Sequence, residues 1–226
     1  MIHIEKLSKS YGAKQVLSNI NIKFEQGKVY GIVGENGAGK TTLFKCITGI
    51  EQHSGTITAG LQPLKDHTGY LQTEPFYFSK ITGREYIRLL CNARSKDPGN
   101  IDDKNIFDLP LDRYAITYST GMKKKLALAA ILAQENQYFI LDEPFNGVDI
   151  QSNILITAII KRLKASGKIL IISSHIFSTL SEICDEIHLL QHGNFTRKVY
   201  KADFDVLEQQ MKEIFIGNKI DKLGLK

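Results

Sequence analysis

The stretch Gly34-Glu35-Asn36-Gly37-Ala38-Gly39-Lys40-Thr41-Thr42 constrains the fold of this chain more than any other. Before it, Val29-Tyr30-Gly31-Ile32-Val33 is short, apolar and β-branched, which reads as a buried strand. After it, Leu43, Phe44 and Ile47 recur at helical spacing until Gly49 closes the element. Strand, glycine loop and helix together fit G-x-x-x-x-G-K-[ST]. Glycines at 34, 37 and 39 let successive N–H groups turn inward around phosphate oxygens. The helix adds its positive dipole end. Lys40 brings a full charge, and the Thr41 hydroxyl is placed to ligate Mg²⁺.

The rest of the chain reads as an α/β alternation. Ile2 and Ile4, then Ile20, Ile22 and Phe24, alternate as antiparallel strands, with Ser10-Tyr11-Gly12 in a loop between them. Residues 55–58 and 69–72 are short strands, the second ending at Gln72 before Thr73-Glu74-Pro75. A helix is expected over 82–94 with Tyr86, Ile87, Leu90 and Ala93 on one face, then a polar loop over 95–104. Ser119 or Thr120 caps a long helix that begins with Lys123-Lys124-Lys125, a run that by itself reads as solvated. Tyr138-Phe139-Ile140-Leu141 is a buried strand that delivers Asp142-Glu143-Pro144, and carboxylates there are costly to desolvate unless paired or at work. An amphipathic helix over 150–165 should turn Ile154, Leu155, Ala158, Ile159 and Leu163 inward. The strand 168–173 ends at Ser174-His175. A helix over 176–183, strands near 186–191 and 194–200, and a last helix after Asp203 follow.

This pattern gives an α/β class: a phosphate-loop core with a mostly parallel sheet, an N-terminal antiparallel β subdomain and an inserted α-helical subdomain. The core would take about 1–73 and 134–205, the helical insert about 74–133 and the tail about 206–226, within one domain of 226 residues. The phosphate loop, Gln72, Asp142, Glu143 and His175 all fall at carboxyl ends of strands, the edge where open α/β sheets bind ligands.

Composition excludes several classes. The net charge of +5 is mild and spread out, and no aromatic residues interleave the lysine run, which argues against nucleic acid. Cys46, Cys91 and Cys184 lack metal spacing and read as free thiols in a reducing compartment. Residues 1–6 alternate rather than forming a signal peptide, and no apolar run approaches the roughly 20 residues that span a bilayer. The chain is expected to be cytoplasmic, with any membrane role supplied by a partner.

Seven motifs in order resemble the ATP-binding subunit of ABC transporters, over nearly the whole chain: the aromatic loop at Tyr11, Walker A at 34–42, the Q-loop at Gln72, the signature at 118–122, Walker B at 138–143, the D-loop at 146–149 and the switch histidine His175. The resemblance implies ATP as substrate with Mg²⁺. Tyr11 would stack on adenine, and Gly34, Glu35, Asn36, Gly37, Ala38, Gly39, Lys40, Thr41 and Thr42 would bind phosphates. Thr41, Asp142 and Gln72 would serve the metal, Glu143 would be the general base, and His175 would contact the γ-phosphate. Ser119, Thr120, Gly121 and Met122 would bind ATP held by a second ABC subunit in a homodimer or heterodimer, with Asp149 near that interface.

The signature reads Tyr-Ser-Thr-Gly-Met where Leu-Ser-Gly-Gly-Gln is usual, and the D-loop reads Asn-Gly-Val-Asp where Ser-Ala-Leu-Asp is usual. The first variant, with Ile81-Thr82-Gly83-Arg84-Glu85, resembles small exporters of drugs, peptides or polysaccharides. Residues 74–90 would dock an integral membrane permease at the inner face of the cell membrane. The alternative is a soluble single-cassette ATPase acting in assembly or regulation.

Overall fold

The computed structural model describes residues 1–209, so 210–226 of the expected tail lie outside the described residues. Two sheets carry the architecture. β1 (Ile2–Tyr11) is the centre of a three-stranded antiparallel sheet, flanked by β2 (Lys14–Phe24) and β4 (Ser54–Ala59). Tyr11 is the last residue of β1 rather than a loop residue.

The larger sheet is built from β3 (Val29–Val33), β5 (Thr68–Leu71), β6 (Tyr138–Asp142), β7 (Ile169–Ser173), β8 (Glu186–Gln191) and β9 (Asn194–Tyr200). Its order is β5-β6-β7-β3-β8-β9, parallel up to β8 and closed by the antiparallel β8–β9 pair. The expected mostly parallel sheet is therefore observed.

β3, β6 and β7 read as unbroken apolar runs because both of their faces are covered. Tyr30, Ile32, Tyr138, Ile140, Ile169 and Ile171 point to one core, shared with Ile2, Ile4 and Phe24 of the small sheet. Helix α1 (Lys40–Ile47) lies in that core and contributes Leu43, Phe44 and Ile47. Val29, Val33, Phe139, Leu141, Leu170 and Ile172 point the other way. There they meet α2 (Gly83–Asn92), α3 (Thr120–Ala133), α4 (Ile150–Ala165) and α5 (Phe177–Ile183). Each such side chain contributes about 1.5–3 kcal/mol by leaving water.

Helix α2 starts at a full capping box: Thr82 accepts from Glu85 N–H, and the Glu85 carboxylate accepts from Thr82 N–H. Tyr86, Ile87 and Cys91 are its buried face, while Ala93 is its exposed C-cap rather than a core residue. Residues 204–209 are helical, as expected after Asp203.

The inward face of α4 differs from expectation. Ser152, Ile156 and Ile160 are buried, with Leu155, Ile159 and Leu163 packed beside them. Ile154 is 67% exposed and Ala158 also faces outward. The helix carries apolar residues around its whole circumference, so the burial by β7 rather than periodicity selects the face. Ile156→Ala is expected to cost about 2–5 kcal/mol in urea unfolding. Ile154→Ala should stay within about 0.5 kcal/mol. The reverse order would restore the face read from periodicity.

Candidate active site

The carboxyl ends of β3, β6 and β7 and the hairpin start of β2 enclose a cleft of about 690 Å³. Its floor is the phosphate loop. Gly39, at φ 109°, occupies backbone space that side chains resist and supplies no capping bond to α1. The first N–H groups of the helix are thereby left for an anion. Gly34 is needed for room, since a Cβ there would lie 2.3 Å from the Leu190 carbonyl oxygen.

Lys40 is buried, and its Nζ donates to the Gly34 carbonyl at 2.6 Å and the Glu35 carbonyl at 3.2 Å. Burial lowers its pKa, opposed by the nearby charges of Glu143 and Asp142. Two weak carbonyl acceptors thus hold a costly ammonium that a phosphate would satisfy better.

Asp142 is 1% exposed and fully engaged. Its Oδ2 accepts from the Thr41 hydroxyl at 2.6 Å and its Oδ1 from the Ser173 hydroxyl at 2.5 Å. Ser173 also accepts from Glu143 N–H at 3.0 Å. This serine ends β7 inside the core and ties both carboxylate residues together, a role that the sequence reading did not give it.

Glu143 sits at φ 53°, a left-handed conformation that costs a non-glycine residue about 1–3 kcal/mol. Its Oε2 accepts from His175 N–H at 3.2 Å. Its Oε1 is buried, accepts no hydrogen bond among the described residues, and lies 3.2 Å from the His175 Nε2, an ion pair when that imidazole is protonated. A buried carboxylate oxygen left short of hydrogen-bond donors is a ready acceptor for a water proton.

The cleft therefore gathers Asn36, Gly37, Gly39, Lys40, Thr41, Thr42, Asp142, Glu143 and His175. Lys14, Gln15, Val16, His192 and Gly193 complete its walls without having been singled out in sequence. Glu35 is exposed and contributes its carbonyl to Lys40, and Ala38 is buried with its N–H closing a turn on the Glu35 carbonyl.

Tyr11 does not line the cleft; it is 45% exposed, with its ring under the Lys9 ammonium at 4.7 Å and its hydroxyl interacting with Glu51 and with Thr42 of the cleft. Gln72 is exposed one residue past β5, and it is Thr73 that lines the cleft.

Ser119, Thr120, Gly121 and Met122 form a separate face and do not line the cleft. Ser119 caps α3, accepting from Met122 N–H at 3.3 Å, while Ser119 and Thr120 are exposed. Asp149 caps α4 through Ser152 N–H at 2.8 Å and pairs with Lys125 at 3.3 Å. Those bonds, chiefly from Ser152, hold its carboxyl down to about 2. The lysine run is not uniformly solvated. Lys124 is 2% exposed, with Nζ donating to the Glu143 carbonyl at 2.7 Å.

An anion cradle at one end of a strand-loop-helix and two carboxylates across from it suit one kind of guest, a polyphosphate that is to be cut. The chain is a phosphate-loop nucleotide hydrolase by fold and by cleft. Residues 17–146 match the family model described as "ABC transporter". A bacitracin transport ATP-binding protein of Enterococcus faecalis is 31% identical, over 96% of this chain and 75% of its own length. A lantibiotic transport ATP-binding protein of Streptococcus pyogenes is 29% identical over 95% and 96%.

Among solved structures, an ATP-binding subunit of an ABC transporter superposes with TM-score 0.78 at 26% identity, covering 99% of this chain and 97% of that one. A dimeric ATP-binding cassette in a post-hydrolysis state, bound to ADP and Pi, gives 0.80 at 18% identity over 89% and 99%, a likeness of fold. This chain belongs to the ABC transporter family as an ATP-binding subunit, and it is an ATPase. No helix among the described residues is long and apolar enough to cross a membrane.

Proposed function

We propose that two such subunits close head-to-tail around two ATP molecules and drive a separate membrane permease in export. The observation that carries this reading is the division of the site. The cleft holds cations, carboxylates and the histidine, whereas exposed Ser119 and half-buried Gly121 lie outside it. A second copy would bring these two residues over the first copy's phosphate.

Within one subunit, Lys40 would exchange its carbonyl partners for β/γ-phosphate oxygens, and the N–H groups of the loop would cradle the same charge. Glu143 would take a proton from the attacking water through Oε1, and His175 would hold the γ-phosphate side of the cleft. Tyr11 would meet adenine, and Gln72 would report on the cleft from its exposed position.

Mg²⁺ fits the residues present. Thr41 Oγ1 and Asp142 Oδ2 already face each other at 2.6 Å, a hydroxyl and a carboxylate of the hard-oxygen type this ion takes. Among the described residues no cluster of three His, Cys, Asp or Glu side chains could hold a metal alone, so phosphate oxygens would complete its shell. When bound, the ion neutralises phosphate charge.

Cargo class follows the relatives, whose names record bacitracin and lantibiotic transport. The permease would dock at 74–90; Phe76 and Phe78, 69% and 57% exposed and packed edge to face at 5.3 Å, support that reading. Exposed aromatic pairs are characteristic interface anchors. The subunit would then sit on the cytoplasmic face of the cell membrane.

Tagged chain recovered from detergent-solubilised native membranes is expected to bring an integral membrane protein with it. Phe76→Ser with Phe78→Ser should lose that protein while ATP binding stays unchanged. Recovery of no membrane protein would favour a soluble single-cassette ATPase instead.

A further inference from the structure

Lys124 is chemically out of place. An ammonium buried to 2% exposure is expensive, and an apolar residue in its place would ordinarily cost less. Its neighbours explain what it holds. Nζ donates at 2.7 Å to the carbonyl of Glu143, the residue held at φ 53°. The same carbonyl accepts from Asn146 N–H at 3.2 Å, closing the turn that leads to Asp149. On the other side of the residue, Glu143 N–H donates to Ser173. Backbone conformations of this kind persist only where the surroundings over-determine them. Here Ser173 fixes one peptide and Lys124 the next.

The contact also has a direction. Lys124 lies in the first turns of α3, whose N-cap is Ser119. Gly121 of the same turn is pressed against the turn after Glu143, so closely that a Cβ would lie 2.6 Å from the Gly147 carbonyl oxygen. Lys125 adds its ion pair to Asp149. Three successive contacts, from Gly121, Lys124 and Lys125, lock the start of α3 onto the 143–149 segment.

We propose that Lys124 is a positioning residue for ATP hydrolysis, pinning the Glu143 carbonyl so that the Glu143 carboxylate is aimed at the attacking water. This rests on the reading of Glu143 as general base, and the experiment separates the two. Full-length Lys124→Met, Lys124→Arg, Glu143→Gln and the Lys124→Met/Glu143→Gln double variant are compared for kcat, ATP affinity and melting temperature.

Methionine matches the length of the lysine stem, and the Glu143 carbonyl keeps its Asn146 donor, so melting should stay near wild type. Lys124→Met is expected to lower kcat about 10- to 100-fold, the scale of a misplaced catalytic group, with ATP affinity within about twofold. Lys124→Arg, which keeps charge and donors, should recover most of that loss. In the Glu143→Gln background the lysine change should produce no further fall, since the two act as one unit. If Lys124→Met does not fold, Lys124→Gln, neutral and too short to span the gap, is read in its place with the same expectation.

An inactive Glu143→Gln beside a fully active Lys124→Met overturns the role of Lys124 alone. Equal losses of turnover and affinity, additive losses in the double variant, or no recovery by arginine do the same. A fully active Glu143→Gln overturns the base assignment and this inference with it.

Discussion

Lys40→Ala is expected to abolish measurable ATP binding at concentrations that saturate the wild type. The ammonium is buried, and among the described residues its hydrogen bonds run to the Gly34 and Glu35 carbonyls, acceptors that phosphate oxygens would replace. Hydrogen bonds to charged groups contribute about 1.5–3 kcal/mol each, and a lysine at the β/γ-phosphates makes more than one. Losing about 3–4 kcal/mol of that interaction corresponds to a fall in affinity of roughly 10²–10³. Folding should suffer little, because the alanine variant also removes a charge that burial disfavours. Titration with a fluorescent ATP analogue reads the effect directly. A loss smaller than tenfold would mean that the phosphate contacts of the loop backbone suffice without the lysine.

Glu143→Gln should separate binding from hydrolysis. Glutamine keeps an oxygen to accept from His175 N–H, so the local geometry survives. It loses the proton acceptor, and removing a general base typically costs about 10²–10⁴ in rate. ATP affinity should be retained, and with hydrolysis blocked an ATP-dependent dimer should accumulate in size-exclusion chromatography. An unchanged hydrolysis rate would sink the assignment of the base.

These two residues were legible in sequence because their chemistry is local. A glycine loop between an apolar strand and a helix, and two carboxylates at the exit of a buried strand, each declare themselves within about ten residues. The parallel sheet was legible for a similar reason: β3, β6 and β7 are buried at every position and apolar up to the Asp142 and Ser173 that end β6 and β7, as strands covered on both faces should be.

What failed was whatever depended on distant partners. On α4, Ile150, Ile154, Ile156 and Ile160 are chemically alike, and only the placement of β7 decides which are buried. Lys123, Lys124 and Lys125 also look alike. A signal did exist, since Lys124 shares the stripe of Ala127, Leu128 and Ile131 at helical spacing, all buried. A charged residue on an apolar stripe asks for a partner, and the partner lies on another element. Ser173 was hidden in the same way, as a small polar end to an apolar strand.

The strand order has a consequence for how this protein comes into being. β3, which delivers the phosphate loop, is held between β7 and β8, and both are made only after position 168. The Leu190 backbone that confines Gly34 arrives later still. At usual synthesis rates the loop leaves the ribosome on the order of ten seconds before its flanking strands. Pairings between such remote segments are also slow to close. Nucleotide binding therefore appears late, and an interrupted translation product that stops before β8 cannot capture ATP. Occupancy of the loop would report that synthesis has passed β8.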